Sequence, residues 1–309
     1  MSKAPFPIQP ELTAIALMYR NRAMIADAVA PRVTVGKQEF KYLKHDFAEG
    51  FTVPNTRVGR KSAPNEVEAN ATEMTDSTND YGLDDPIPNA DIENAPPNYN
   101  PRARAVEFIT DLIELDREIR VANAVFNANN YAAANKQTLS GTSQFSDFTN
   151  SDPIGVITAA LDSMVMRPNV MVIGRAAYTK LAMHPKIVKA YFGTGNDTGI
   201  ATRQAIASLF ELDEVLVGEA FVNNARKGQA ASLSRAWGKH ITLLNRNNTA
   251  DLERGVTFML TAQWGARIAG SIPDPDVGLR GGERVRVGES VKEVLIANDL
   301  GYFIQNAVA

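Results

Sequence analysis

The sequence predicts an α+β protein in which helices and strands mix without a regular βαβ repeat. Three observations lead to this class. The first hundred residues are charge-sorted and poor in apolar side chains, an unusually long amphipathic helix follows Pro101, and short strands and helices alternate irregularly after Asp152. A chain of 309 residues is long enough for one large domain or two.

The composition argues against several classes of protein. The formal net charge of −3 is unlike that of a dedicated nucleic-acid-binding protein, which usually carries a basic stripe. The chain has no cysteine, so it has neither disulfides nor a thiolate nucleophile. Its first residues lack the apolar core of a signal peptide, and no apolar run reaches the ~18 residues of a membrane span. We expect a protein made in a reducing cytoplasm, with no membrane partner.

Residues 1–36 are predicted to form an N-terminal arm. Pro5, Pro7 and Pro10 fix φ and remove backbone donors, which favours an extended conformation. A short helix from about Glu11 to Met24 is predicted next, because apolar residues recur on one face there. Pro31 ends this region.

Residues 37–85 are predicted to form a long two-stranded hairpin along which charge is sorted. Residues 32–61 hold seven lysines and arginines against three carboxylates, whereas residues 62–100 hold nine carboxylates and no lysine or arginine. Phe40, Tyr42 and Val53 lie among charged residues, and Gly50 and Pro54 mark turns. The acidic segment continues through a series of prolines, so we expect it to be extended and unable to fold on its own.

A single amphipathic helix is predicted at residues 102–130. Its apolar positions recur at spacings of three and four: Ala105, Phe108, Leu112, Leu115, Ile119, Ala122 and Phe126, widened by Val106, Ile109 and Ile113. Its length is roughly 40 Å, over twice the mean for globular helices. Asp116 and Arg120 have the i, i+4 spacing of an ion pair. We expect this helix to span the whole molecule.

Residues 153–309 are predicted to mix short helices and strands. Asp152 caps a helix that begins at Pro153, a favourable first residue. Further helices are predicted at Arg175–Met183 and Ala201–Phe210. Strands are predicted at Asn169–Ile173, Asp213–Val217, Phe221–Val222, Trp237–Leu244, Val256–Gly265, Arg284–Val287, Val294–Ala297 and Gly301–Ile304.

The sequence contains little that would support catalysis. Its three histidines are His45, His184 and His240, and none has a second histidine at metal-binding spacing. The acidic segment lacks the spacing of a calcium loop. A glycine cluster at Gly278–Gly288 could suggest a phosphate-binding enzyme, but it lacks the Lys-Ser/Thr pair of a P-loop. We favour a tight loop that needs positive φ, and we predict no catalytic residue, metal or cofactor.

Several stretches, taken in order, resemble one known family. These are VMVIGRAAYTKLAMHPKI, IASLFELDEVLVGEAFVNNARKGQ and the tail TAQWGARI followed by VGLRGGERVRVGESVKEVLIANDLGYFIQNAV. Together with the arm, the hairpin and the long helix, they resemble the major capsid proteins of tailed bacteriophages, which have the Hong Kong 97-type fold. The resemblance covers nearly the whole chain, and it brings no catalytic residues with it.

The resemblance implies a domain organisation. Residues 1–36 would be the N-terminal arm and residues 37–85 the extended hairpin, called the E-loop. Residues 86–152 would form a peripheral domain around the spine helix 102–130. Residues 153–255 would form the axial domain, and residues 256–309 would be return strands shared by both domains.

The resemblance also implies a function and a set of partners. The chain would be a structural, non-enzymatic subunit of hexamers and pentamers in an icosahedral head. That head would be assembled in the bacterial cytoplasm and would enclose double-stranded DNA without sequence-specific binding. Its partners would be a portal protein and, because the arm is only about 35 residues long, a separate scaffolding protein. A decoration or cement protein stays open. The alternative is an encapsulin-like nanocompartment shell.

Charge sorting predicts where subunits touch. Head-to-tail contacts require two different patches of one chain to match each other. We expect the cations Arg57, Arg60 and Lys61 to reach carboxylates of an adjacent subunit, namely Glu66, Glu68, Asp84 and Asp85. The tail arginines are also expected to contact a neighbour; they are Arg280, Arg284 and Arg286.

Overall fold

Two mixed sheets with flanking helices organise the chain. The computed structural model describes residues 6–19, 24–45, 51, 53–66, 71–193, 198–226, 228–252 and 255–309. The helices are α1 (Pro10–Met18), α2 (Ala26–Val29), α3 (Asn89–Glu93), α4 (Pro101–Val125), α5 (Pro153–Ser163), α6 (Arg175–Ala182), α7 (Pro185–Phe192) and α8 (Arg203–Leu209). The strands are β1 (Arg32–Val35), β2 (Glu39–His45), β3 (Ala71–Ser77), β4 (Asn79–Pro88), β5 (Lys136–Thr138), β6 (Val170–Gly174), β7 (Glu214–Gly218), β8 (Phe221–Asn223), β9 (Leu233–Arg235), β10 (Ile241–Leu244), β11 (Met259–Asp274), β12 (Gly282–Leu295) and β13 (Gly301–Gln305).

The four-stranded sheet has the order β1-β11-β12-β4. Its centre is the long antiparallel pair β11–β12, whose register shifts between Trp264 and Ile268. β1 pairs with β11 in parallel, a strand that the sequence analysis did not predict. Helix α4 lies across this sheet, and its apolar side chains pack against Val285 and Val287 of β12.

The long helix α4 confirms the predicted element, and one side of its predicted apolar stripe faces the core. It begins at Pro101, where the Asn100 side chain accepts hydrogen bonds from two backbone N–H groups, and it ends at Val125 rather than at residue 130. Phe108 and Leu112 were expected in the core, yet they are 55% and 39% exposed. The inward face holds Val106, Ile109 and Ile113, which were part of the predicted stripe, together with Val121. Adjacent helical residues differ by about 100° in direction, so periodicity alone did not show which side of a wide stripe is buried.

The hairpin differs from its prediction in where it ends. β2 pairs with β3, from Glu39 opposite Ser77 to His45 opposite Ala71, so the returning strand comes from the acidic segment. Residues 79–88, which we expected to be partly hairpin and partly extended linker, form β4 and pair with β12. The carboxylate-rich segment therefore folds by adding a strand to a sheet built from the far end of the chain.

The five-stranded sheet has the order β5-β13-β10-β6-β7. β6 and β7 run parallel, whereas β10 is antiparallel to both of its neighbours. Helices α5 to α8 contribute side chains to the core on one face, including Leu161, Leu181 and Ile206. The other face holds Trp237, which is fully buried beside Val172 and Leu216.

The N-terminal segment lies along β11. Ile8 forms a β-bridge with Gly270, and the Gln9 N–H donates to the Ala269 carbonyl at 3.1 Å. Helix α1 ends at Met18 rather than at Met24, with Leu12 and Ala16 buried against α4. The prolines at 5 and 7 precede a segment that the sheet itself holds in place.

Two glycines make room for Trp237 and for the backbone of the following Gly238, which leads to a prediction. A Cβ on Gly218 would lie 2.0 Å from Trp237 Cγ, and one on Gly174 would lie 1.7 Å from the Gly238 carbonyl oxygen. We expect Gly218→Ala and Gly174→Ala each to lower the free energy of unfolding by about 3 kcal/mol, the upper end of overpacking costs. Urea denaturation measures this loss.

Gly36→Ala is the matched control for this prediction. Gly36 has no heavy atom within 4 Å of its Cβ position, so its substitution should change stability by less than about 0.5 kcal/mol. Equal stability of all three variants would contradict the close packing around Trp237.

Candidate assembly surfaces and buried charge junction

The predicted cations of the hairpin are exposed. Arg57, Arg60 and Lys61 lie in the hairpin loop, defined here as residues 53–66, where the described side chains are all exposed. Local hydrogen bonds shape the loop: Asn65 Nδ2 donates to the Asn55 carbonyl at 2.7 Å, and the Arg57 N–H donates to Asn55 Oδ1 at 3.1 Å. The three cations form no ion pair within the described part of the chain, so they are available to a partner.

The predicted carboxylates are divided by the structure. Asp84 accepts two hydrogen bonds of 2.7 Å from Arg286, so two residues expected to face a neighbour bind each other. Asp85 lines an open groove, and Glu66 is exposed in the hairpin loop. Glu68 lies outside the described residues. The pairing of β4 with β12 places Asp84 opposite Arg286. The sequence did not predict this contact because the two residues are 202 positions apart.

The tail arginines are likewise mostly paired within the chain. Arg284 donates to Asp274 at 3.0 Å. The adjacent Glu283 accepts two hydrogen bonds of 2.6 Å from Arg102 of α4. The hydrogen bonds from Arg286 to Asp84 raise the pKa of the arginine. Among the three predicted tail arginines, only Arg280 lacks an ion pair within the described residues. It lies exposed in the turn between β11 and β12.

A buried carboxylate joins three parts of the chain. Glu118 of α4 is fully buried, and it accepts hydrogen bonds from the N–H groups of Ile25 at 3.0 Å and Ala26 at 2.7 Å. It also accepts one from the indole Nε1 of Trp237. Burial raises the pKa of Glu118, and these N–H donors offset only part of that rise. One side chain thus connects the N-terminal segment, the long helix and the five-stranded sheet.

Next to Glu118, arginines and carboxylates form the charge junction, defined here as Asp27, Arg32, Glu114, Arg117, Arg267 and Glu289. Arg117, Arg267 and Glu289 are buried, and the other three are partly exposed. Arg32 binds Glu289 at 2.8 Å, and Arg267 binds both Glu289 and Glu114 at 3.0 Å. Arg117 contacts Asp27 and donates to the Ala30 carbonyl at 3.1 Å. Burial alone would raise the pKa of Glu289, but Arg32 and Arg267 lower it.

This junction was not predicted, although the sequence contains one pattern that indicates it. Arg117 and Glu118 continue the row of Ile109, Ile113 and Val121, the inward face of α4. Two charged residues on a buried face require partners, because an unpaired buried charge is costly. Asp116 and Arg120, the ion pair that was predicted, do contact each other, and Arg120 also binds Glu293 of β12 at 3.0 Å.

The described histidines are structural acceptors rather than catalysts. His184 Nδ1 accepts from the Lys186 N–H at 3.2 Å and caps α7. The Nε2 atom therefore carries the proton and donates to Ser151 Oγ at 3.0 Å. Ser151 donates in turn to the Asp147 carbonyl at 2.6 Å, so this serine is not activated as a nucleophile. His240 Nδ1 accepts from the Asn306 N–H at 2.9 Å.

The glycine loop, possible metal ligands and the helices complete the description of candidate sites. Gly278 and Gly281 have positive φ, which confirms a tight loop, and this loop joins two antiparallel strands rather than a strand and a helix. Within the described ranges no group of three or more His, Cys, Asp or Glu residues could hold a metal ion. In the same part of the chain, no helix combines the length and apolar character needed to span a membrane.

Comparisons with known sequences point to one family. The family described as "Phage major capsid protein E" matches residues 105–230. The major capsid protein of Pseudomonas phage JBD67 is 61% identical over 309 residues, covering 100% of both chains. The major capsid protein of Burkholderia phage BcepMu is 30% identical, covering 96% of this chain and 95% of the relative.

Solved structures share the fold. A phage-related protein from Bordetella bronchiseptica RB50 aligns with a TM-score of 0.75 at 22% identity, covering 97% of each chain. The capsid of Cyanophage P-SCSP1u aligns with a TM-score of 0.59 at 10% identity, covering 93% of this chain and 89% of that one. An encapsulin from Synechococcus elongatus PCC 7942 is a more distant fold relative, with a TM-score of 0.52 at 9% identity and coverages of 99% and 92%.

Replacing Glu118 should test its joining role. In Glu118→Gln the amide NH₂ would face N–H donors that the carboxylate now satisfies. We expect the free energy of unfolding to fall by about 1–3 kcal/mol, the cost of leaving a buried donor unsatisfied. The control is Glu107→Gln, whose partially exposed carboxylate lies 3.9 Å from Arg104. Equal effects of the two substitutions in urea denaturation would contradict the proposed role of Glu118.

Acid should destabilise the subunit through two histidines. Burial lowers the pKa of His184 and of His240, so the unfolded chain binds more protons than the folded one below about pH 6.5. Stability is therefore complete above that pH and falls as pH decreases, by at most about 1.4 kcal/mol per histidine per pH unit.

The double variant His184→Asn, His240→Asn tests this prediction, because asparagine can accept the same backbone hydrogen bonds without titrating. Urea denaturation between about pH 7.5 and about pH 5, a range that spans the ordinary histidine pKa, should show a flatter dependence in the variant. If the free energy of unfolding depends on pH equally in the variant and the wild type, these histidines are not the source of that dependence.

Proposed function

The chain belongs to the family of phage major capsid proteins, and from this premise we propose how its surfaces build the shell. It is a structural protein that assembles with copies of itself into a phage capsid, and its place is the virion. The full-length identity of 61% to a phage major capsid protein is the observation that carries this conclusion. The encapsulin alternative rests on fold likeness alone and is not favoured.

We propose that the shell consists of hexamers and pentamers in which each hairpin loop reaches an adjacent subunit. The support is the exposure of Arg57, Arg60 and Lys61 together with the absence of ion-pair partners for them among the described residues. Asp84 is held by Arg286 of the same chain. We therefore propose carboxylates such as Asp85 and Glu66 as the partners of the loop cations on the adjacent subunit, because they make no ion pair within the described residues.

Weak contacts suit this arrangement. An exposed ion pair contributes about 0.2–1 kcal/mol, so a single misplaced contact can dissociate before the shell closes. Repetition over every subunit makes the total large. Ring closure requires two different patches on one chain to match, and a cationic loop with a carboxylate surface is such a pair.

Further partners belong to the same proposal. A head of this family would enclose double-stranded DNA, and the net charge of −3 supports a container that does not grip DNA through extensive counterion release. We propose a portal protein, a separate scaffolding protein and, on the outer face, a decoration or cement protein. Assembly would take place in the cytoplasm of the bacterial host.

Charge reversal of the hairpin loop should prevent shell formation. The wild-type protein is expected to form regular hollow shells tens of nanometres across by negative-stain microscopy. The triple variant Arg57→Glu, Arg60→Glu, Lys61→Glu should fold normally, because these side chains have no ion-pair partner in the described subunit, yet should leave subunits or irregular assemblies. Low salt should sharpen the difference, since exposed charges are screened as ionic strength rises.

The charge-conserving variant Arg57→Lys, Arg60→Lys, Lys61→Arg is the control and should still assemble. Normal shells from the charge-reversed variant at both low and high salt would overturn the hairpin proposal. A wild-type protein that stays monomeric under all assembly conditions would instead count against the shell itself. Particles that contain proteins rather than DNA would favour the nanocompartment.

A further inference from the structure

A leucine at the end of the β11–β12 pair is completely exposed. Leu279 is 100% exposed in the tip loop, defined here as residues 275–281. Burying this side chain against a partner would remove its whole apolar surface from water, which is favourable. The neighbouring Arg280 is also exposed, so the tip presents an apolar side chain beside a cation.

The subunit holds this tip loop in a defined conformation. Asn89 Nδ2 donates to the Arg280 carbonyl at 3.0 Å, and the Asn89 N–H donates to the Gly281 carbonyl at 3.1 Å. The Asp276 N–H donates to Asp274 Oδ1 at 3.0 Å. Leu279 is thus presented on a backbone held from both sides, which lowers the conformational entropy that binding would cost.

A groove of complementary character lies at the same end of the four-stranded sheet. It has a volume of about 460 Å³ between β4, α3 and the start of α4. Ile87, Tyr99 and Phe108 form apolar walls, and Tyr99 and Phe108 are 51% and 55% exposed. Two carboxylates, Asp85 and Asp91, also line it.

The groove is close to the tip loop but does not receive its leucine. Helix α3, which carries Asp91, begins at Asn89, the residue that holds the tip loop. Leu279 nevertheless is fully exposed, so it is not packed against the described residues of its own chain. Arg104, the cation at the groove, lies 3.9 Å from Glu107 of its own helix. Asp85 and Asp91 make no ion pair within the described residues.

We propose that Leu279 of one copy inserts into this groove of a second copy, with Arg280 facing Asp85 and Asp91. The apolar match and the opposite charges favour a second copy as the occupant. Tip and groove are different patches of one chain, so a head-to-tail contact between them can close a ring. This inference rests on the proposed shell, and it adds a contact separate from that of the hairpin loop.

Cross-linking tests the contact directly, because the wild-type chain has no cysteine. Leu279→Cys and Phe108→Cys subunits are mixed, assembled and treated with a short bis-maleimide. A linked dimer should appear in mixed shells and not with either variant alone. Leu233→Cys, whose side chain is 66% exposed on β9, mixed with Phe108→Cys is the control and should give no such dimer. Shells that form without the Leu279–Phe108 product overturn the proposal and leave the shell function intact.

A second pair of variants decides the question if the cysteine substitutions impair assembly. Leu279→Asp and Leu279→Met should both melt like the wild type, because the side chain has no contacts in the subunit. We expect Leu279→Asp to reduce the yield of shells at least about tenfold, as loss of an apolar anchor does, and Leu279→Met to retain it. Wild-type yield from Leu279→Asp would also overturn the proposal. Failure of the wild type to assemble would instead refute the shell function.

Discussion

The buried carboxylate of Glu118 is the constraint on which the arrangement of the subunit depends. It accepts hydrogen bonds from the N-terminal segment at Ile25 and Ala26, and from Trp237, which packs against the five-stranded sheet. A buried carboxylate needs such donors, so the three parts can pack only in the orientation that supplies them. The adjacent charge junction adds the four-stranded sheet through Arg267 and Glu289. The long helix therefore acts as a support to which the other parts are bonded by polar contacts.

Because the centre of the subunit is held by these contacts, we expect the contacts between subunits to be made by exposed loops. Most carboxylates of β4 and most tail arginines are used to hold β4 on the sheet, as with Asp84 and Arg286. The exposed features include the hairpin loop, between β2 and β3, and the tip loop, between β11 and β12. A shell subunit needs this division, because its interior must keep one shape while its surface forms many weak contacts. Nothing in the described histidines or glycine loop suggests chemistry beyond assembly.

Much of the architecture was predictable because local patterns coincide with the fold. The helix after Pro101 and the strand Val170–Gly174 followed from periodicity and apolar runs. The apolar stripe of the helix was predicted too wide, since Phe108 and Leu112 belong to it yet are exposed. The acidic segment was expected to be extended and unable to fold on its own, and part of it forms a strand because β12 supplies both hydrogen bonds and arginines.

The sequence by itself determined the class of the protein: an α+β chain with a long helix, charge-sorted loops and no catalytic motif, whose ordered stretches resemble phage capsid subunits. Only the tertiary structure decided which charges are free. Asp84 and Arg286 are 202 residues apart in the chain and bind each other, whereas Arg280 and Leu279 stay exposed. The physical reason is that strand register, set over many residues of β4 and β12, brings particular side chains together, and composition carries no information about register.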